Sequence, residues 1–447
     1  MMSAWTLFVD FGLAALLLLV GQYLRATVPL LQRLFLPASI IGGLLGLVLG
    51  PNGLGLLGFS EAFSKYPGIL ITFVFASLPF SVPQTGLKSL SRGAAEMWSY
   101  SVLTILWQWG LPLLFCLALL RVIWPDLHDG FGSILVCGFV GGHGTAAAVG
   151  TAFASFGWEE AESLAMTSAT VGIISAIVGG VWWTRWGAAN GHARFVTKFN
   201  DLPRALRTGL VRPDQQASLG KETVSSNTID VLIFHFAVIA LAALGGYQLS
   251  VFLGPHIGRI FESPSAGYSL PPFCLAYVVA IILHRSLKHF GATAYLDRAV
   301  MSRIGGSVTD VLVVFGIASI KLSVLVTYAV PLSLLFVFGL LLCGLMFRIL
   351  GPRFFHEYWF EKSLFTWGWV TGVTAMGITL MRIVDTKNRG QALNDFAVAY
   401  LFVGPVEIGL VAFGPQWIHA GHAWILAAAT AILGAILFGS VLAARRR

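Results

Sequence analysis

The chain has 447 residues, of which 57% are hydrophobic and only 11% are charged. This composition excludes an ordinary soluble globular protein and indicates a polytopic protein of the lipid bilayer. The formal net charge of +8 does not indicate a nucleic-acid partner, because the basic residues lie in short segments between apolar runs and do not form one continuous face with aromatic side chains.

Apolar runs long enough to cross about 30 Å of hydrocarbon occur along the whole chain. The first is predicted to be a retained span, because no basic residue precedes it and no small-residue cleavage site follows it. Asp10 in this span and His235 in the sixth lie near span ends and are predicted to be solvated. The four cysteines fall in apolar runs without metal-ligand spacing and are predicted to be buried free thiols. The eleven predicted spans are 7–24, 35–52, 67–83, 98–122, 163–186, 229–250, 268–284, 304–322, 325–347, 393–413 and 423–443.

Two further apolar segments, 131–156 and 360–381, are rich in glycine, alanine and threonine. Glycine at this density lets the backbone leave the helix, which a bilayer tolerates only where the backbone is buried in protein or lines a wet cavity. Both segments are therefore predicted to be re-entrant hairpins. The motif Gly138–Ala148 of the first is echoed by Gly368–Gly377 of the second. Gly368, Trp369, Val370 and Gly372 stand opposite Gly138, Phe139, Val140 and Gly142.

The longest polar stretch, 188–226, is predicted to be a cytoplasmic linker between two halves. An odd number of spans precedes it, so the second half must start from the opposite side of the membrane. The sequence therefore predicts an all-α polytopic membrane protein of two inverted five-helix repeats, each with a re-entrant glycine-rich hairpin, plus an extra C-terminal helix. The repeats are placed at 1–187 and 227–415, and the extra helix with its basic tail at 416–447.

The distribution of basic residues predicts which ends of the spans face the cytoplasm. If the N-terminus lies outside and the C-terminus inside, only Lys65, Arg121, Arg259 and Lys321 of the 28 basic residues lie outside. Such an asymmetry favours this orientation under the positive-inside rule. The expected location is the plasma, or inner, membrane.

A few polar side chains in apolar surroundings are candidates for binding. His143 either binds a substrate carboxylate or a coupled proton, or is a structural residue whose hydrogen bonds are made within the protein. Thr145 and Thr374 either bond loop backbone or coordinate sodium, a hard cation that prefers oxygen. Glu407, beside a helix-breaking proline, is predicted to bind a cation, because an unpaired carboxylate at that depth costs at least about 2.5 kcal/mol. Asp310, one turn inside the eighth span, is a weaker candidate for the same role.

Arg382 follows the second motif directly. Its guanidinium is suited to grip a substrate carboxylate at two points. Pairing with Asp385 at the cytoplasmic interface is the alternative.

The segment 131–181, with the core Gly141-Gly142-His143-Gly144-Thr145, resembles the glutamate:sodium symporter family. Membership implies sodium-coupled uptake of an amino-acid anion by a homodimer, with substrate held between opposed re-entrant tips. The second motif is bulkier than in this family, with Trp367, Trp369 and Met376, so the substrate could differ from glutamate. The expected substrate site comprises Gly141, Gly142, His143, Gly144, Thr145, Thr371, Gly372, Thr374 and Arg382, and the expected sodium or coupling site comprises Glu407 and Asp310.

The predicted function is thus secondary active transport of glutamate or a related carboxylate anion by alternating access. The sequence contains no phosphate-binding loop, catalytic triad or zinc-protease pattern, so an enzyme is not expected. Three alternatives remain open. They are a channel, a proton-coupled organic-anion carrier, and an intramembrane enzyme that uses His143 and Glu407 as acid and base.

Overall fold

A computed structural model describes residues 4–81, 91–195, 204–260, 271–385 and 389–445. Throughout these ranges the regular structure is helical, without a strand. We number the principal helices in chain order. They are α1 Ala4–Thr27, α2 Ala38–Leu49, α3 Tyr66–Ser81, α4 Arg92–Phe115, α5 Ser133–Phe139, α6 Gly142–Ser155, α7 Ala161–Ala189, α8 Val231–Ile260, α9 Pro272–His289, α10 Arg298–Ala318, α11 Ala329–Leu345, α12 Trp359–Val384, α13 Ala392–Trp417 and α14 Ala423–Arg445.

Every one of the eleven predicted spans overlaps a helix. Within the described ranges, nine helical stretches are long and apolar enough to cross a membrane. The number differs from eleven for three reasons. Helix α2 has only 12 residues, α9 ends in a polar turn, and α13 and α14 form one stretch of 54 residues. In addition, Trp359–Met381 qualifies by length, although the sequence predicts a hairpin there.

The helices pack in two connected groups. In one, α3 lies between α9 and α10, while α1 packs on α2 and α8 packs on α9. In the other, α7 lies against α5, α6 and α12, and α4 lies between α13 and α14. Contacts of α6 with α3, α10 and α13 join the groups. The four cysteines are buried and free, as predicted.

The prediction that Asp10 and His235 are solvated is wrong. Asp10 is only 1% exposed, because its carboxylate accepts hydrogen bonds from Ser60 N at 2.9 Å, Ser60 Oγ at 2.5 Å and Tyr66 Oη at 2.8 Å. His235 is also buried. Its Nε2 accepts the Asp297 N–H at 2.8 Å, so its Nδ1 carries the proton that reaches the Val231 carbonyl at 2.7 Å.

The predicted linker contains a short helix, Arg204–Thr208, and a 3-10 turn, Pro213–Gln215. Most of the described part of the linker is exposed. It touches the helices at few points, such as the hydrogen bond from Gln22 Nε2 to the Gly209 carbonyl at 3.4 Å.

Candidate transport site

The first glycine motif forms a helical hairpin from α5 and α6. The chain turns before α6, where Gly142 has φ +63°. At the base, a Cβ built on Gly130 would lie 2.8 Å from the Phe153 ring, and the His128 ring stacks on Trp158 at 4.2 Å. Residues 130 and 153 would be roughly 34 Å apart in one continuous helix. The chain therefore folds back on itself between them.

His128 secures the base of this hairpin. Burial lowers the pKa of His128, which favours the neutral ring. Its Nδ1 accepts the Gly130 N–H at 3.0 Å. A neutral ring is required for this bond, because both nitrogens of a protonated imidazole are donors.

The second motif also folds back, although α12 is continuous in its residue bounds. Helical geometry fails at Gly372 (φ −149°, ψ 39°) and Val373 (φ 66°, ψ 165°). A Cβ built on Gly368 would lie 2.7 Å from the Gly377 Cα. Nine residues of straight helix would separate these two glycines by about 13.5 Å. Trp359–Met381 is therefore two short helices packed on each other, although its length alone would allow a span.

The two turns contact each other. A Cβ on Gly142 would overlap Cγ1 of Val373, so only a glycine leaves room for the valine. Val373 has a backbone conformation that is almost confined to glycine and costs on the order of 1–3 kcal/mol. The breaks of the two motifs, at Gly142 and at Gly372 and Val373, also occupy the positions that the sequence echo aligns. Strain is thus concentrated where the halves of the chain meet.

His143 does not reach into a cavity in this structure. Its side chain is 3% exposed, and its Nε2 lies 3.1 Å from Thr170 Oγ1 on α7. The Thr170 hydroxyl donates to the Met166 carbonyl at 3.0 Å, so its oxygen is the acceptor and His143 Nε2 carries the proton. This arrangement is the structural alternative that the sequence left open.

Thr145 and Glu407 line one cavity of about 260 Å³. Glu407 Oε2 also accepts a hydrogen bond from Tyr400 Oη at 3.1 Å. A smaller space beside the cavity is lined by Gly141, Thr145 and Glu407, among others, and extends the site to the turn of the first hairpin. The cavity lining comprises Phe75, Leu78 and Pro79 of α3, Thr145 of α6, Tyr277, Ile281, His284 and Arg285 of α9, and Tyr400, Leu401, Gly404, Glu407, Ile408 and Val411 of α13.

Residues of the second hairpin are not in the cavity lining, but one of them packs near the lining residue Tyr400. Thr371 is fully buried, and its hydroxyl donates to the Trp367 carbonyl at 2.6 Å. Trp369 packs edge-on against Phe396 at 5.0 Å and lies 6.3 Å from Tyr400, the partner of Glu407.

The remaining glycines of the predicted site make close contacts between helices. A Cβ on Gly372 would lie 2.6 Å from the Ala176 side chain, and a Cβ on Gly144 would lie 2.8 Å from Ile71 Cδ1. Thr374 is partly exposed just after the break.

The predicted coupling residue Asp310 is not brought to the cavity. Asp310 lies exposed on α10 and is absent from the lining. Arg382 belongs to α12, but its side chain is outside the part of the chain that the structure describes. Its predicted alternative partner, Asp385, accepts the backbone N–H groups of Arg389 at 2.9 Å and Gly390 at 2.6 Å.

Sequence reasoning missed Arg285, Tyr277 and Tyr400. Tyr400 stands seven residues before Glu407, which places both on one helical face, and this spacing could have revealed it. The sequence places Arg285 among the basic residues that indicate orientation, because most of the other residues that line the cavity come from distant helices.

The oxygen atoms at the cavity are of the type that sodium prefers. Glu407 offers a carboxylate, and Thr145 and Tyr400 offer hydroxyl groups, of which Tyr400 already donates its proton to Glu407. A hard monovalent cation is bound by such oxygen ligands. The residues present therefore fit a sodium ion.

No curated protein matches the chain. Residues 8–355 match the sodium/glutamate symporter family, which confirms the resemblance seen in the first motif. The matched region contains the first hairpin and Arg285 and ends before α12, so Glu407 lies beyond it. Because this region covers well over half of the 447 residues, the chain belongs to the sodium/glutamate symporter family, a family of membrane transporters.

Proposed function

We propose that the protein is a secondary active transporter that couples an inward sodium gradient to uptake of glutamate or a related carboxylate anion. The observation that carries this proposal is the cavity shared by Thr145, from the first hairpin, and Glu407. A smaller space beside the cavity reaches Gly141, the neighbour of Gly142, where the two hairpin turns touch. Interrupted helices that meet at one cavity are the usual setting of substrate and ion sites in such transporters.

Glu407 is the proposed coupling residue. Its carboxylate lines the cavity and has a tyrosine hydroxyl, but no cationic side chain, as its partner in the described ranges. A sodium ion would supply the missing charge, because a carboxylate in low dielectric requires compensation. Asp310 lies away from the cavity, so we assign it no more than a secondary role.

Several features support an inverted repeat, which alternating access by this mechanism requires. The pair α1 and α2 has a counterpart in the pair α8 and α9. A π-helical turn follows both α4 and α11, at Cys116–Leu120 and Met346–Leu350. In this proposal the hairpins enter the membrane from opposite sides, the N-terminus lies outside, the C-terminus is cytoplasmic, and the protein works as a homodimer in the plasma membrane.

Uptake into proteoliposomes tests the proposal. The purified protein should accumulate a labelled amino acid or carboxylate against its gradient only when sodium is higher outside. Glu407→Gln preserves the shape and removes the charge, and should weaken the sodium dependence at least tenfold. Glu61→Gln alters an exposed carboxylate that does not line the cavity and is the matched control.

The rival functions predict different results. A channel would equilibrate the solute without accumulating it, and an enzyme would release a chemically changed product. Accumulation driven by a proton gradient in sodium-free buffer would favour the proton-coupled carrier. If Glu407→Gln retained wild-type sodium dependence, the coupling site would lie elsewhere.

A further inference from the structure

The cavity contains two charged side chains that do not neutralise each other. Arg285 extends from α9 and Glu407 from α13, and both line the same space of about 260 Å³. In the ranges that the structure describes, neither takes part in an ion pair. Both charges therefore remain available to a bound ligand or ion.

The wall around these two charges is mainly apolar. It is formed by Phe75, Leu78, Pro79, Ile281, Leu401 and Ile408. Among the lining residues, Arg285 carries the one permanent positive charge. His284 also lines the cavity, but an imidazole is charged only when protonated, and its ring packs edge-on against Phe80 at 5.5 Å.

We propose that the substrate is a small monocarboxylate with an apolar body, and that Arg285 binds its carboxylate. This inference rests on the proposed function and narrows its substrate class. A guanidinium forms two parallel hydrogen bonds with one carboxylate. The body of the substrate then packs on the apolar wall, while Glu407 remains available for the cation.

A second carboxylate, as in glutamate, has no cationic partner in this arrangement, because Arg285 carries the one permanent positive charge among the lining residues. Its neighbours would be neutral hydroxyl groups, the apolar wall or the Glu407 carboxylate. Contact with the apolar wall costs desolvation of a charge, and contact with Glu407 places like charges together. A volume of 260 Å³ is slightly below the range of about 300–1,000 Å³ for drug-sized ligands, which suits an acid with a short branched chain.

Competition in proteoliposomes distinguishes the substrate classes. Propionate, 4-methyl-2-oxopentanoate and glutamate would each be tested for sodium-driven accumulation and for mutual inhibition. We expect at least one of the apolar monocarboxylates to be half-saturating at a concentration tenfold or more below that of glutamate. A preference for glutamate would overturn this inference and leave the proposed function intact. Sodium-independent behaviour of all three would remove both.

Substitutions at the cavity test the role of Arg285 directly. Arg285→Gln should raise the half-saturating concentration of the preferred acid at least tenfold. Arg285→Lys keeps the positive charge but cannot form two parallel hydrogen bonds with a carboxylate, and should raise that concentration several-fold. Arg303→Gln removes an exposed arginine of α10 that does not line the cavity and should leave the constant unchanged.

Truncation of the apolar wall tests the second half of the inference. Ile408→Ala should weaken binding of 4-methyl-2-oxopentanoate roughly tenfold and change binding of propionate much less. Melting temperatures near that of the wild type would show that each variant is folded. An unchanged constant in folded Arg285→Gln, or equal effects of Ile408→Ala on both chain lengths, would overturn the assignment.

Discussion

The contact between Gly142 and Val373 shows how single residues set the site. Gly142 needs a positive φ, and the space where its side chain would stand is occupied by the valine. Val373 in turn is held in a conformation that β-branched residues avoid. Such strain persists only where surrounding packing enforces it, and it is concentrated at functional sites.

Gly142→Ala is expected to abolish most sodium-driven uptake and to lower the melting temperature. The alanine would incur about 1–2 kcal/mol for its left-handed backbone and a further 1–3 kcal/mol for overlap with Val373. Gly157→Ala is the matched control, because Gly157 also has a positive φ (+95°) but a Cβ built on it would stand in open space. Equal losses of stability in the two variants would show that the contact between the turns contributes nothing.

At the scale of elements, the hairpins are pairs of short helices that resemble spans only in composition. Each half of α12 has about 13 residues, which corresponds to roughly 20 Å of helix and is too short for a bilayer. In the proposed re-entrant arrangement, the bases of the hairpins indicate the side from which each enters. Exposed carboxylates stand near both bases, at Glu159 and Glu357.

Cysteine labelling should place the two bases on opposite sides of the membrane. Glu159→Cys is expected to react with an impermeant maleimide in intact, right-side-out vesicles, and Glu357→Cys only in inside-out vesicles. The unsubstituted protein is the blank, because its four thiols are buried and should react slowly. Reaction of both variants from one side would contradict the inverted arrangement of the hairpins.

The sequence predicted elements better than contacts. Glycine density in an apolar setting marked both places where the helical backbone is interrupted, at Gly142 and at Gly372 and Val373, because a break in an apolar helix requires particular residues. The burial of Asp10 escaped prediction, since its partners Ser60 and Tyr66 lie fifty or more positions away. Arg285 escaped for a related reason, because four helices from different parts of the chain build the cavity.

At the scale of the molecule, the two groups of helices are joined through the first hairpin. Helix α6 contacts α3 and α10 on one side and α7 and α13 on the other. The cavity lies where these elements meet, so movement of one group past the other would change its shape. In the proposed function, alternating access would be such a rigid-body motion of packed helices around a fixed site.

The contact between the two turns also predicts that a substitution in one half of the chain can compensate for a substitution in the other. Val373→Gly relieves a strained backbone and empties the space beside Gly142, so it is an expected intragenic suppressor of Gly142→Ala. A double-mutant cycle would compare free energies of unfolding. The double variant should be more stable, by about 0.5–3 kcal/mol, than the two single effects added together predict. Strict additivity would show that the two turns do not interact energetically. If they do interact, the residue at one position restricts which substitutions are tolerated at the other, although 230 residues of chain separate them.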